Sequence, residues 1–108
     1  IPTSLMEEAG IELLALSTDR ILWEARSAFL DDNPEAAKNL IPLDREVNRR
    51  FNNAFDVIIS QQERYPEYAS GLSYLTIVVK SLERLSDHLM NIAESVVFRV
   101  SGIDIRHQ

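Results

Sequence analysis

The sequence contains no cysteine, which excludes disulfides and thiolate chemistry and leaves the redox compartment unspecified. Glycine occurs three times and proline four times in 108 residues, too few punctuating residues for a strand-and-turn architecture. Long uninterrupted helices are the expectation. Apolar runs are short, and the stretch from Leu75 to Val79 is already broken by Thr76. Nothing approaches the roughly 18 consecutive apolar residues of a membrane span, so no direct membrane insertion is expected. Positive charge is scarce and scattered. Eleven Lys and Arg stand against seventeen Asp and Glu, for a net charge of −6, and Arg49-Arg50 is the one adjacent basic pair. A phosphate backbone is held by clustered cations, so nucleic acid is not an expected partner. The opening Ile1-Pro2-Thr3-Ser4 carries no initiator Met and no signal-peptide pattern, and the chain is expected to be part of a longer one.

What is present is an ordinary globular balance, 45% hydrophobic and 26% charged, in a length that suits a single domain over residues 1–108. From Ser4 to Leu30 the chain is dense in Leu, Ala, Glu and Arg, and Leu5, Ala9, Leu13, Leu16, Trp23 and Leu30 recur near helical spacing. A first long helix is expected there, with Ser4 as N-cap and Glu7 completing a capping box. Gly10 weakens it. Asp31-Asp32-Asn33-Pro34 ends it, and Pro34 opens a second helix reaching Arg64. Pro42 interrupts that helix. Because Ala37, Leu40, Val47, Phe51, Phe55 and Ile58 keep one stripe across it, a kink is expected rather than a break. Tyr65-Pro66-Glu67-Tyr68 makes the next turn, and a third helix runs to about Val100, with Gly102 as its C-cap and Ile103 to Gln108 as a tail. The expected fold is therefore all-α, an antiparallel up-down-up three-helix bundle.

The third helix carries the most information. In Leu82-Glu-Arg-Leu-Ser-Asp-His-Leu-Met-Asn-Ile-Ala-Glu94 the polar residues Glu83, Asp87, Asn91 and Glu94 fall at offsets of four, eight and eleven. At about 100° per residue they lie within roughly 80° of one another and form an acidic ladder. Leu72, Leu75, Val78, Val79, Leu82, Leu89, Met90, Ala93, Val96, Val97 and Val100 fill the adjoining arc and face a core. A solvated face is the ordinary reading of such a ladder; a metal or ligand site is the sharper one. Asp44 and Asn48, spaced i, i+4 on the second helix, could lie opposite it and complete an oxygen-rich cluster suited to iron, manganese, magnesium or zinc. His88 falls about 140° from Glu83 and reads as a surface histidine. A di-iron enzyme would need Glu-x-x-His, and Ser86 stands at that offset from Glu83. No Gly-flanked serine supports a nucleophilic triad. Trp23, Tyr65, Tyr68 and Tyr74 read as core and helix-end packing rather than a binding platform.

Asp44-Arg-Glu-Val-Asn48, followed by the Leu82 to Glu94 string, resembles the two acidic signatures of PhoU-type phosphate-signalling proteins. The ending Ser101-Gly-Ile-Asp-Ile-Arg-His107 resembles that family's Gly-x-Asp-x-Arg-His close, and the turn near Asn33 to Ala36 is also similar. The resemblance spans essentially the whole chain. It implies one PhoU-like bundle, resembling the C-terminal of the two that such proteins usually carry. It further implies a metal-binding acidic face for iron or zinc, drawing on Asp44, Asn48, Glu83 and Asp87, with Asn91 and Glu94 as further candidates. Asn48 stands where the family has Asp, and Ser86 where it usually has Gly. The implied role is a cytoplasmic, non-enzymatic adaptor that negatively regulates the phosphate-starvation response through a phosphate ABC transporter and a sensor histidine kinase. The alternatives are a cytosolic domain of a sodium–phosphate cotransporter-type protein, or a plain helical module that forms a homo-oligomer.

Overall fold

Asn33 and Pro34 show how local sequence sets the elements. The Asn33 side-chain oxygen accepts from the Glu35 and Ala36 N–H groups at 3.1 and 3.3 Å, and Pro34 occupies the first helical position. A short helix starts there as the sequence dictates. In the computed structural model, which describes residues 1–101, the elements are α1 (Thr3–Glu8), α2 (Ile11–Leu30), α3 (Pro34–Lys38), α4 (Leu40–Arg64), a 3-10 turn (Pro66–Tyr68) and α5 (Ala69–Ser101). All are helical. The fold is all-α, but the simple three-helix up-down-up bundle expected from the sequence does not form, because two of the three expected helices are divided.

The first division is at Gly10, which adopts φ 72° and ψ 32°. This left-handed conformation costs an L-residue about 1–2 kcal/mol and costs glycine little. The Gly10 N–H closes α1 on the Glu7 carbonyl, and α2 restarts one residue later. The expected Ser4–Glu7 capping box is absent, since α1 begins after Pro2 with no side-chain cap. A Cβ at Gly10 would meet nothing within 4 Å, so a substitution there tests backbone strain alone. Gly10→Ala is expected to lower stability by about 1–2 kcal/mol in a urea titration, and an unchanged midpoint would show that the turn tolerates alanine.

Gly10 also resets the phase of the helix. Counted at about 100° per residue from Leu5, the positions Leu13, Leu16, Trp23 and Leu30 share an arc with Ala9. The positions buried in α2 are instead Leu14, Thr18, Ile21, Ala25 and Ala28, on the opposite arc. Leu16, Trp23 and Leu30 are 60%, 57% and 59% exposed. The expected core stripe of the first helix is thus correct before Gly10 and wrong after it.

The second division precedes Pro42. Proline has no N–H to give to the Lys38 carbonyl four residues back, and its ring crowds that carbonyl. The ladder ends at Lys38, and α4 begins at Leu40 after the single residue Asn39. The expected kink is a break between two helices. The stripe nevertheless continues, with Ala37, Leu40, Val47, Phe51 and Ile58 buried and Phe55 packed against them.

Helix α5, 33 residues long, matches the molecule's longest dimension of 52 Å at about 1.5 Å per residue. Leu72, Leu75, Val79, Leu89, Met90, Ala93, Val96 and Val97 are buried as expected, while Val78 and Val100 are exposed. Helices α2, α4 and α5 pack against one another, and α3 lies on α2 and α5. At their C-terminal ends, α2 and α5 are joined by an ion pair between Asp32 and Arg99. At the other end Gln61, near the C-terminus of α4, donates to the Leu5 carbonyl. So α2 and α5 run in one direction, with α4 reversed between them. Gly102 and the Ile103 to Gln108 tail, with the closing motif, lie outside the described residues. Among the described residues, no helix is long and apolar enough to cross a membrane.

Candidate functional site

Helix α5 holds its acidic ladder beside its buried stripe. Glu83 and Glu94 are half-buried, Asp87 and Asn91 are exposed, and between them Ser86 is fully buried. Among the described residues, the Ser86 hydroxyl has no hydrogen-bond partner. On α4, Asp44 and Asn48 are both half-buried, and the Asn48 amide donates to Asp44 Oδ2 at 3.5 Å. The i, i+4 pairing expected from spacing is therefore present within α4.

The donor set can be tested against the expected metal. A cluster of iron or zinc needs several anionic or imidazole ligands converging on one point. Among the described residues, no three His, Cys, Asp or Glu side chains come together in that way. Asn48 directs its N–H, a group that no cation accepts, towards Asp44. Among the described residues, Asp44, Glu83, Asp87 and Glu94 thus supply no three carboxylates gathered at one point. On α5, Glu83, Asp87, Asn91 and Glu94 make one polar, acid-rich edge. Asn91 and Glu94 also line a shallow groove of about 410 Å³ with Ser95 and Phe98.

His88 is exposed, in agreement with a surface reading. The aromatics divide. Tyr65 and Tyr68 are half-buried at the turn before α5, with ring centroids 6.4 Å apart, and serve helix-end packing. Trp23 and Tyr74 are exposed and so lie outside the core in which the sequence suggested them.

A groove absent from the sequence expectations lies where the α1–α2 junction meets α4. It has a volume of about 400 Å³ and is lined by Gly10, Leu13, Glu46, Arg49, Arg50 and Asn53. Arg50 donates to Glu46 at 2.6 Å, and that hydrogen bond, with the guanidinium charge, holds the Glu46 carboxyl below the usual range. The signal was the Glu46/Arg50 spacing next to Arg49, one turn apart on one face. What hid the groove was Gly10, whose left-handed turn forms its other wall.

A profile of the PhoU domain matches residues 11–96. A phosphate-specific transport system accessory protein PhoU homolog of Pseudomonas aeruginosa is 31% identical over 88 residues, covering 82% of this chain and 36% of that protein. Homologs of the same description from a Burkholderia species and from Zymomonas mobilis are 27% and 32% identical. They cover 95% and 69% of this chain, and 44% and 32% of their own lengths. The chain thus spans less than half the length of these curated relatives. No solved structure gives a significant match. The match runs from the first residue of α2 into the last turns of α5 and takes in Asp44 and Asn48 on α4 and the whole ladder. The chain belongs to the PhoU domain family, which is regulatory and not catalytic.

Proposed function

We propose that the chain is a protein-binding module that represses the phosphate-starvation response. It works in the cytoplasm, through contacts with a phosphate ABC transporter and a sensor histidine kinase. The observation that carries this reading is the PhoU match over residues 11–96, together with relatives described as accessory proteins of phosphate-specific transport. The structure supplies compatible material. It is a helical body with an acid-rich edge along α5, in which Asp87 and Asn91 stand clear of the core while Ser86 and Leu89 anchor the same turns. Carboxylates along such an edge select partners by electrostatic complementarity and speed their encounter.

The edge acts through contact rather than catalysis, so its side chains matter for partner choice and little for folding. Deleting the gene that encodes this chain and assaying alkaline phosphatase in phosphate-rich medium tests the role. Activity is expected to rise to the level of phosphate-starved cells, and to fall again on complementation. A Glu83→Ala/Asp87→Ala variant is expected to fold normally by circular dichroism yet fail to restore repression. Unchanged phosphatase activity in the deletion strain would overturn the regulatory reading. Full complementation by the double variant would remove the acidic edge from it.

A further inference from the structure

The chain carries a net charge of −6, yet three of its eleven basic side chains gather around one carboxylate. Arg50 donates to Glu46 at 2.6 Å. Arg49, and Arg20 from α2, also lie close enough to favour the charged form of Glu46. Three guanidinium groups around one carboxylate leave a positive surplus. Among the described residues, Arg20 and Arg49 make no ion pair. Unpaired arginine massed at one place on an acidic protein draws anions to that place. We propose that the groove where the α1–α2 junction meets α4 binds a nucleoside phosphate.

Charge places the phosphate. Arg49 and Arg50 line this groove of about 400 Å³, and a guanidinium presents its donors as a fork that matches phosphate oxygens in pairs. Glu46 already takes one donor of Arg50, so an incoming phosphate competes there and meets Arg49 uncontested.

Shape places the nucleoside. A second groove, of about 390 Å³, shares Gly10 and Leu13 with the first and is also lined by Leu16, Glu7 and Glu12. A Cβ built on Gly10 meets no atom within 4 Å, so the missing side chain leaves space open where the two grooves join. Leu13 and Leu16 are exposed and offer an apolar shelf for the flat face of a base. Glu7 and Glu12 are exposed acceptors, suited to the hydroxyl groups of a ribose.

The same two carboxylates select the class of ligand. A polyphosphate or a nucleic acid would carry its negative charge onward to Glu7 and Glu12, and like charges repel. A molecule charged at one end, with a neutral hydroxylated body, meets complementary groups along its whole length. Inorganic phosphate alone would use the arginines and leave the shelf empty.

Isothermal titration calorimetry of ADP into the 108-residue chain tests the proposal. Binding with a Kd of about 10–500 μM is expected, with inorganic phosphate and adenosine each at least about tenfold weaker. Arg49→Ala/Arg50→Ala is expected to weaken ADP binding at least about tenfold. Lys80→Ala/Arg84→Ala, which removes a cationic pair from a groove on α5, is expected to leave it unchanged. Glu46→Gln frees Arg50 and is expected to tighten binding about threefold, a gain that a purely structural Glu46–Arg50 pair would not give. That gain keeps the test decisive should the double arginine variant misfold. In the 15N-labelled chain, ADP is expected to shift the amide signals of residues 7–16 and 46–53. No binding at about 5 mM ADP overturns the proposal, and so does binding that Arg49→Ala/Arg50→Ala leaves intact or Lys80→Ala/Arg84→Ala abolishes. Inorganic phosphate binding as tightly as ADP overturns it too, since the groove would then hold a free anion and not a nucleoside phosphate.

Discussion

Phe51→Ala is expected to lower the free energy of unfolding by about 3–5 kcal/mol, the upper range for a core truncation. Phe51 is the largest side chain that is completely enclosed, placed mid-way along α4 where α2 and α5 both pack on that helix. Truncation removes the transfer energy of an aromatic ring and leaves a void that surrounding helices fill only in part. A domain of this size holds about 5–15 kcal/mol in all, so the variant should sit near the edge of folding at 37 °C. Urea titration followed by circular dichroism reads this as a lower midpoint with an unchanged slope. Phe51→Leu, which keeps most of the volume, is expected to lose about 1–1.5 kcal/mol. A loss below about 1 kcal/mol for the alanine variant would mean that the ring is not enclosed as described.

Gln61→Ala carries an expected loss of about 2–3 kcal/mol, for a different reason. Gln61 is fully buried near the end of α4, and its amide donates to the Leu5 carbonyl at 2.9 Å and to Glu8 Oε1 at 3.3 Å. These bonds hold α1 against the body of the protein, helped at the rim by Arg64, 3.7 Å from Glu8. Without the amide, α1 is held by the burial of Leu5 and of the adjoining Ala9, and by the exposed Glu8–Arg64 pair. Hydrogen exchange in residues 3–9 should therefore quicken more than exchange in the middle of α5. Among the described residues the Gln61 side-chain oxygen has no hydrogen-bond partner, so Gln61→Leu removes an unsatisfied acceptor while keeping the volume. It should cost about 1 kcal/mol or less. Equal losses for the leucine and alanine variants would show that the hydrogen bonds, not the packing, dominate.

The sequence was most legible where one pattern ran without interruption. In α5, hydrophobic period, acidic ladder and family resemblance all point the same way, and the buried positions follow almost residue by residue, with Val78 and Val100 the exceptions. The α2–α3 turn was legible because Asn33 and Pro34 act locally. Legibility failed at Gly10 and Pro42, where one residue decides whether a helix bends, weakens or ends. Propensity gives the cost of such a residue but not the conformation that avoids it. The candidate site was legible as a set of faces and not as a cluster. Spacing places Asp44 with Asn48 and Glu83 with Asp87, but whether two such pairs meet depends on the rotation of each helix. The Glu46–Arg50 groove was hidden for the same reason, since half its wall comes from the far side of the Gly10 turn.

The phase reset at Gly10 bears on what fixes the rotation of α2. Its two opposite arcs are both rich in carbon, so transfer free energy alone would leave two rotational settings of the helix close to degenerate. Bulk breaks the tie. The inner arc offers Ala25, Ala28 and Thr18, which let neighbouring backbones approach closely; the outer arc offers Trp23, Leu16 and Leu30, which would hold them apart. Gly10 then locks the slimmer side inward by uncoupling α2 from the rotation that Leu5 and Ala9 impose on α1. Steric fit, not greasiness, orients this helix.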